Sequence, residues 1–133
     1  MVGIVLASHG KFAEGILDAA QMLFGEVEQV ACVSLQPGMS PEDYQGCLAQ
    51  AAGEVDTGEG SIILCDILGG TPSNRAAFLM SRMNVVAGIN LALFIELLGQ
   101  RLDGEINITD LVEIGRQGMA HMNPLFGVTA PSI

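Results

Sequence analysis

Four short apolar runs, each followed by residues at helical spacing or by a turn into them, decide what this chain can fold into. The runs are Val2–Ser8, Val30–Ser34, Ser61–Asp66 and Val85–Ile89. The first is almost continuously apolar, as expected of a strand covered on both faces. After it, Phe12, Ile16, Ala19, Ala20 and Leu23 recur at helical spacing, and Gly25 supplies a stop. Ser40-Pro41-Glu42-Asp43 reads as a helix start, with Ser at the cap, Pro in the first turn and acids facing the dipole. That helix runs to about Val55, and Asp56–Gly60 is a polar turn. Further helices are predicted from near Pro72 to near Arg82, over Leu91–Arg101, and from a Thr109-Asp110 cap to about Gln117, with Asp103-Gly104-Glu105 as a surface loop. The tail from Gly118 shows no clear pattern, and its end from Gly127 is a candidate for disorder. One domain over residues 1–126, with 127–133 as tail, accounts for the chain.

Strands alternating with helices imply a parallel sheet with right-handed crossovers. The expected fold is α/β, a flavodoxin-like doubly wound sheet of four parallel strands in order 2-1-3-4 with helices on both faces. In that order strands 1 and 3 are neighbours whose connections leave in opposite directions. The crevice between them is the topological switch point, where open α/β sheets bind ligands.

Half of the residues are apolar and 15% charged, which suits a compact domain with a buried self-association surface. The net charge is −10, and Lys11, Arg75, Arg82, Arg101 and Arg116 are too scattered to neutralise a phosphate backbone, so nucleic acid is not an expected partner. The apolar stretch Val85–Leu98 is too short for a membrane span and is interrupted by Asn90 and Glu96. No basic residue precedes Lys11, so the start does not read as a signal peptide, and a cytoplasmic location is expected. Cys32, Cys47 and Cys65 form no CxxC pair and read as buried reduced thiols.

The chemistry concentrates where strands 1 and 3 end. His9 closes the first run, and Asp66 closes the third and opens into Ile67-Leu68-Gly69-Gly70-Thr71-Pro72-Ser73-Asn74. A histidine ring has two distinct nitrogens, and a hydrogen bond on one decides what the other can do. If Asp66 accepts from one, the other carries a lone pair for an incoming phosphorus, and the carboxylate stabilises the charge that develops on the ring. Asp66 is thus expected to orient His9. Gly69 and Gly70 let the loop turn with its amides exposed, Thr71 is read as a helix cap with its own hydroxyl, and Pro72 fits the first helical position. The amides of Ser73 and Asn74 would lie at the positive end of the helix, and Ser8 could add a hydroxyl from the other side.

The candidate site is therefore His9 and Asp66, with Ser8, Gly69, Gly70, Thr71 and Ser73 around the phosphoryl group. No carboxylate cluster for a metal is apparent, and no cofactor is expected. Each feature has a plainer reading: a histidine or aspartate in a turn, a glycine bend, an ordinary helix start. Their coincidence at one sheet edge favours the functional one. His121 lacks such context and reads as structural or surface. Lys11 and Arg75 flank the site, as attractors of phosphate or as solvated surface. Met80, Met83, Met119 and Met122 read as core or interface filler.

In these residues the chain resembles the IIA component of the mannose family in the bacterial phosphoenolpyruvate-dependent sugar phosphotransferase system. The matching pieces are Gly3-Ile4-Val5-Leu6-Ala7-Ser8-His9-Gly10, Met22-Leu23-Phe24-Gly25, Pro37-Gly38, Asp66 through Asn74, Val86-Ala87-Gly88-Ile89-Asn90-Leu91 and Gly115-Arg116-Gln117-Gly118. The resemblance spans residues 2 to 122 and implies that His9 accepts phosphate from the histidine of HPr and passes it to a IIB component. IIB then phosphorylates the sugar as the membrane components import it. A homodimer is implied too, in some members with a carboxyl-terminal strand exchanged. Here Gly118 to Pro124 would supply it as a fifth, antiparallel edge strand. Arg75 stands where a small residue is expected. The chain ends where other members continue into a IIB domain, so a free-standing IIA is expected. Two other readings stand beside this one: the phosphocarrier subunit of a dihydroxyacetone kinase, and a noncatalytic flavodoxin-like regulatory module.

Overall fold

The computed structural model describes all residues, 1–133. Its strands are β1 (Gly3–His9), β2 (Val30–Leu35), β3 (Ser61–Cys65) and β4 (Asn84–Ala87). They form one sheet in the order β2-β1-β3-β4 with every pairing parallel, as the alternation of elements predicts. The helices are α1 (Phe12–Phe24), α2 (Pro41–Val55), α3 (Thr71–Ala76), α4 (Leu91–Asp103), α5 (Ile108–Gln117) and α6 (Met122–Leu125).

Alternate residues of each strand face opposite layers. Ile4 and Leu6 of β1, Ile62 and Leu64 of β3 and Val86 of β4 pack with Ala13 and Ala20 of α1, Leu93, Phe94, Leu97 and Leu98 of α4, and Leu111 of α5. Val5, Ala7, Val33, Ile63 and Cys65 pack on the other face with Tyr44, Leu48, Ala51, Ala52 and Val55 of α2 and with Ala76 and Leu79. Both faces are covered, which explains why β1 and β3 read as unbroken apolar runs. The chain leaves β1 for α1 on one face and β3 for α3 on the other, so the switch point falls between the ends of these two strands.

Several local expectations are corrected. The helix after β3 does not reach Arg82; α3 ends at Ala76 and tightens into a 3₁₀ turn over Ala77–Leu79. Asn107, not Thr109, caps α5, its side-chain oxygen accepting from the Asp110 amide at 3.0 Å. Asn90 caps α4 in the same way through Leu93. Only Cys65 of the three thiols is buried; Cys47 is exposed and Cys32 intermediate. Met83 lies against the core, whereas Met80, Met119 and Met122 are exposed. In this single chain residues 118–133 form only the short α6 and add no strand to its own sheet; a strand exchanged with a second copy is a property of a dimer, not of one chain.

The amino ends of the strands are closed by Arg101, in the last full turn of α4. Its side chain is almost fully buried and donates to the carbonyls of Val2, Gln29 and Glu28. Burial lowers its pKa, partly offset by the charge of Glu28. The contact clamps α4 to the start of β1 and to the residues that enter β2.

Candidate functional site

The pairing of β1 with β3 carries His9 to Asp66. The ladder starts with the Gly3 amide on the Gly60 carbonyl. Carried to the other end of β1, the same offset brings the His9 amide to residue 66. There the acceptor is the Asp66 side chain, with Oδ2 at 2.9 Å. The same oxygen lies 2.8 Å from Nδ1 of the ring, and Oδ1 accepts from the Ile67 amide at 2.9 Å. Three donors fix the carboxylate, whose side chain is 11% exposed. An ionised carboxylate only accepts, so Nδ1 carries the proton and Nε2 keeps its lone pair. The His9 side chain is 51% exposed.

The loop after Asp66 is held by Ser73. Its hydroxyl accepts from the Gly69 amide at 3.0 Å and donates to the Gly70 carbonyl at 3.1 Å. Gly69 takes φ +92°, which side chains rarely adopt. Gly70, not Thr71, is the cap residue of α3; Thr71 and Pro72 lie inside the first turn. Asn74 spends its amide on the Gly70 carbonyl. The amides of Gly70, Thr71 and Ser73 and the Thr71 hydroxyl have no acceptor or donor within the chain. Because α3 has six residues, these amides matter more here than a helix dipole.

Ser8 is buried and its hydroxyl is committed. It accepts from the Ala13 amide at 2.9 Å and donates to the Gly10 carbonyl at 3.3 Å, shaping the turn into α1. Arg75 is turned onto α2, 3.3 Å from Gln45 and 3.7 Å from Glu42, with its guanidinium over the Phe78 ring. Lys11 is exposed and makes no ion pair. His121 is exposed far along the chain, before α6. Beneath the site, burial and the Asp66 charge push the Cys65 thiol up to about 12. Burial likewise raises the Tyr44 phenol, which donates to the Val33 carbonyl at 2.7 Å.

Sequence reasoning missed the apolar surroundings. Phe12 (49%), Ile67 (56%) and Leu68 (82%) are exposed in the segments that follow His9 and Asp66. Two apolar residues in a short strand-end loop were the available signal, since such loops are usually polar. The cleft between β4 and α5, about 350 Å³ and lined by Val86, Gly88, Leu93 and Met119, does not include His9. No helix is long and apolar enough to cross a membrane. No group of three or more His, Cys, Asp or Glu residues is arranged to hold a metal.

An imidazole fixed by a carboxylate at the switch point of an open parallel sheet defines a histidine-centred α/β domain. Comparison gives this class a family. Residues 3–114 match EIIA-man, described as the PTS system fructose IIA component. The mannose-specific EIIAB component of Escherichia coli K12 is 33% identical over 125 residues, covering 89% of this chain. This chain spans only 38% of that relative's length. The fructose-specific EIIA component of Bacillus subtilis 168 is 31% identical over 104 residues, covering 76% of this chain and 71% of its own. Among solved structures, the IIA protein associated with the fucose utilization operon of Streptococcus pneumoniae superposes with a TM-score of 0.85 at 29% identity, covering 95% of this chain and 99% of that one. The chain belongs to the EIIA mannose family, the IIA components of sugar phosphotransferase systems.

Proposed function

We propose that this chain is a phosphoryl carrier in which His9 takes a phosphoryl group on Nε2 from the phosphohistidine of HPr and passes it to a IIB component. The observation that carries the reading is the 2.8 Å contact between Nδ1 and Asp66, with the ring half exposed. One P–N bond breaks on the donor ring as another forms at Nε2. The accepting ring gains positive charge as the donating ring loses it. The proton on Nδ1 stays in place, and Asp66 stabilises the charge across the hydrogen bond. The free amides of Gly70, Thr71 and Ser73 and the Thr71 hydroxyl supply donors for the phosphoryl oxygens, with Gly69 and Ser73 shaping the loop and Ser8 the opposite turn.

The exposure of Phe12, Ile67 and Leu68 supports a phosphoryl group that arrives and leaves on proteins rather than on a small molecule in a pocket. In the same reading the chain works in the cytoplasm and serves sugar uptake. It would act as a homodimer, with the exposed Met119, Met122, Leu125 and Phe126 meeting a second copy. The test is incubation with phosphoenolpyruvate, enzyme I and HPr. Acid-labile phosphate should appear on the wild type and on His121→Ala, and not on His9→Ala. Retained labelling of His9→Ala contradicts the proposal.

A further inference from the structure

The His9 ring touches Asp66 along one edge and Gly70 along the other. A Cβ built on Gly70 would fall 2.6 Å from Cε1 and 3.2 Å from Nε2 of His9, and 3.4 Å from Cγ2 of Ile67. Non-bonded carbons rest at about 3.5–4.0 Å, so any side chain at position 70 competes with the imidazole for space. Backbone conformation does not demand glycine here. Gly70 has φ −97° and ψ 171°, extended values open to every residue. Gly69 is the reverse case, with φ +92° and no atom within 4 Å of its own Cβ position. The first glycine turns the chain, and the second leaves room.

We infer that Gly70 is a positioning residue: the absence of its side chain seats the His9 ring so that Nδ1 meets Asp66 and Nε2 faces outward. The kinetic consequence rests on the phosphocarrier reading; the seating itself does not. When a Cβ is added, the ring is the part free to move. It is half exposed, whereas the loop is tied by Ser73 to Gly69 and Gly70 and by the Ile67 amide to Asp66. A displaced ring loses the carboxylate that selects its tautomer. The proton then distributes over both nitrogens and masks the nucleophile part of the time. Nothing buried is disturbed, so the fold survives.

The test is Gly70→Ala in protein carrying ¹⁵N-histidine. Imidazole nitrogen shifts are read at a pH where the ring is neutral. The wild type is expected to show the Nδ1–H tautomer alone, and Gly70→Ala an average of both tautomers at a near-unchanged melting temperature. Phosphoryl acceptance from phospho-HPr is expected to fall about tenfold or more in kcat with little change in KM. A single Nδ1–H tautomer together with wild-type transfer in Gly70→Ala overturns the inference. If Gly70→Ala melts early, the His9→Ala/Gly70→Ala double variant decides. Recovery of the His9→Ala melting temperature supports a clash with the ring, and no recovery overturns it. A wild type that takes no phosphate sinks the phosphocarrier reading, while the tautomer measurement still decides the role of Gly70.

Discussion

The two ends of the sheet hold polar groups of similar kinds and use them differently. At the amino ends, Arg101 gives its hydrogen bonds to the carbonyls of Val2, Gln29 and Glu28. The Gln29 side chain donates to the carbonyls of Met1 and Val55 and lies 3.2 Å from the Thr57 hydroxyl. Asp56 accepts from the amides of Gly58 and Gly60. Polar groups there are consumed inside the molecule. At the carboxyl ends the Ser8 and Ser73 hydroxyls shape the two turns, and Asp66 is spent on aiming His9. Nε2 and three loop amides are left without partners, beside exposed apolar side chains. Satisfied polar groups tie elements together; unsatisfied ones around a fixed centre are available for chemistry. The amino end thus serves stability, and the carboxyl end keeps a lone pair and donors free for chemistry.

The sharpest way to break this division is to remove one residue from each end. His9→Ala should lose all phosphoryl transfer and change unfolding free energy by no more than about 0.5 kcal/mol, because the ring is half exposed. A urea titration beside the labelling assay checks both halves. Asp66→Asn should keep the fold and slow transfer about 100-fold, read by quenched-flow phosphorylation. Its amide can donate to Nδ1 and so select the tautomer with the proton on Nε2. A wild-type rate would remove Asp66 from the site.

Arg101→Ala should do the opposite of His9→Ala. It leaves the Val2 and Glu28 carbonyls without that donor, while the Gln29 carbonyl keeps the Ile4 amide, and should cost about 2 kcal/mol in urea unfolding, with phosphoryl transfer by the folded fraction unchanged. The smallest effect concerns Asp56. Hydrogen bonds from the Gly58 and Gly60 amides hold its carboxyl below the ordinary value. A carboxylate lowered in the folded state adds stability above its unfolded pKa. That contribution fades as pH falls through the lowered folded value. Asp56→Asn should therefore make the acid limb of the stability curve shallower, without altering transfer at neutral pH.

The sheet was legible in the sequence because β1 and β3 are covered on both faces, which leaves an unbroken apolar run where one-sided strands would alternate. His9 and Asp66 were legible because each terminates such a run. What sequence could not resolve depended on local choices between similar residues or on distant contacts. Asn107 and Thr109 are both good caps, and only the fold shows which one begins α5. The six residues of α3 are too few for periodicity to mark their end, so the 3₁₀ turn after it read as more helix. Gly69-Gly70 looked like one flexible pair, yet one residue is set by its backbone and the other by the histidine ring. Ser8 looked free for phosphate, but α1 folds back to claim its hydroxyl. Arg101 carried no signal at all, since its acceptors are up to 99 residues away.

With Asp66 holding the proton on Nδ1, Nε2 is the nitrogen expected to receive the phosphoryl group. Long-range ¹H–¹⁵N and ³¹P spectra of the phosphorylated, ¹⁵N-histidine-labelled protein identify the phosphorylated nitrogen directly. The expected result is phosphorus coupling to Nε2 of His9 with a proton retained on Nδ1. Phosphorus on Nδ1, or on any residue other than His9, would contradict it.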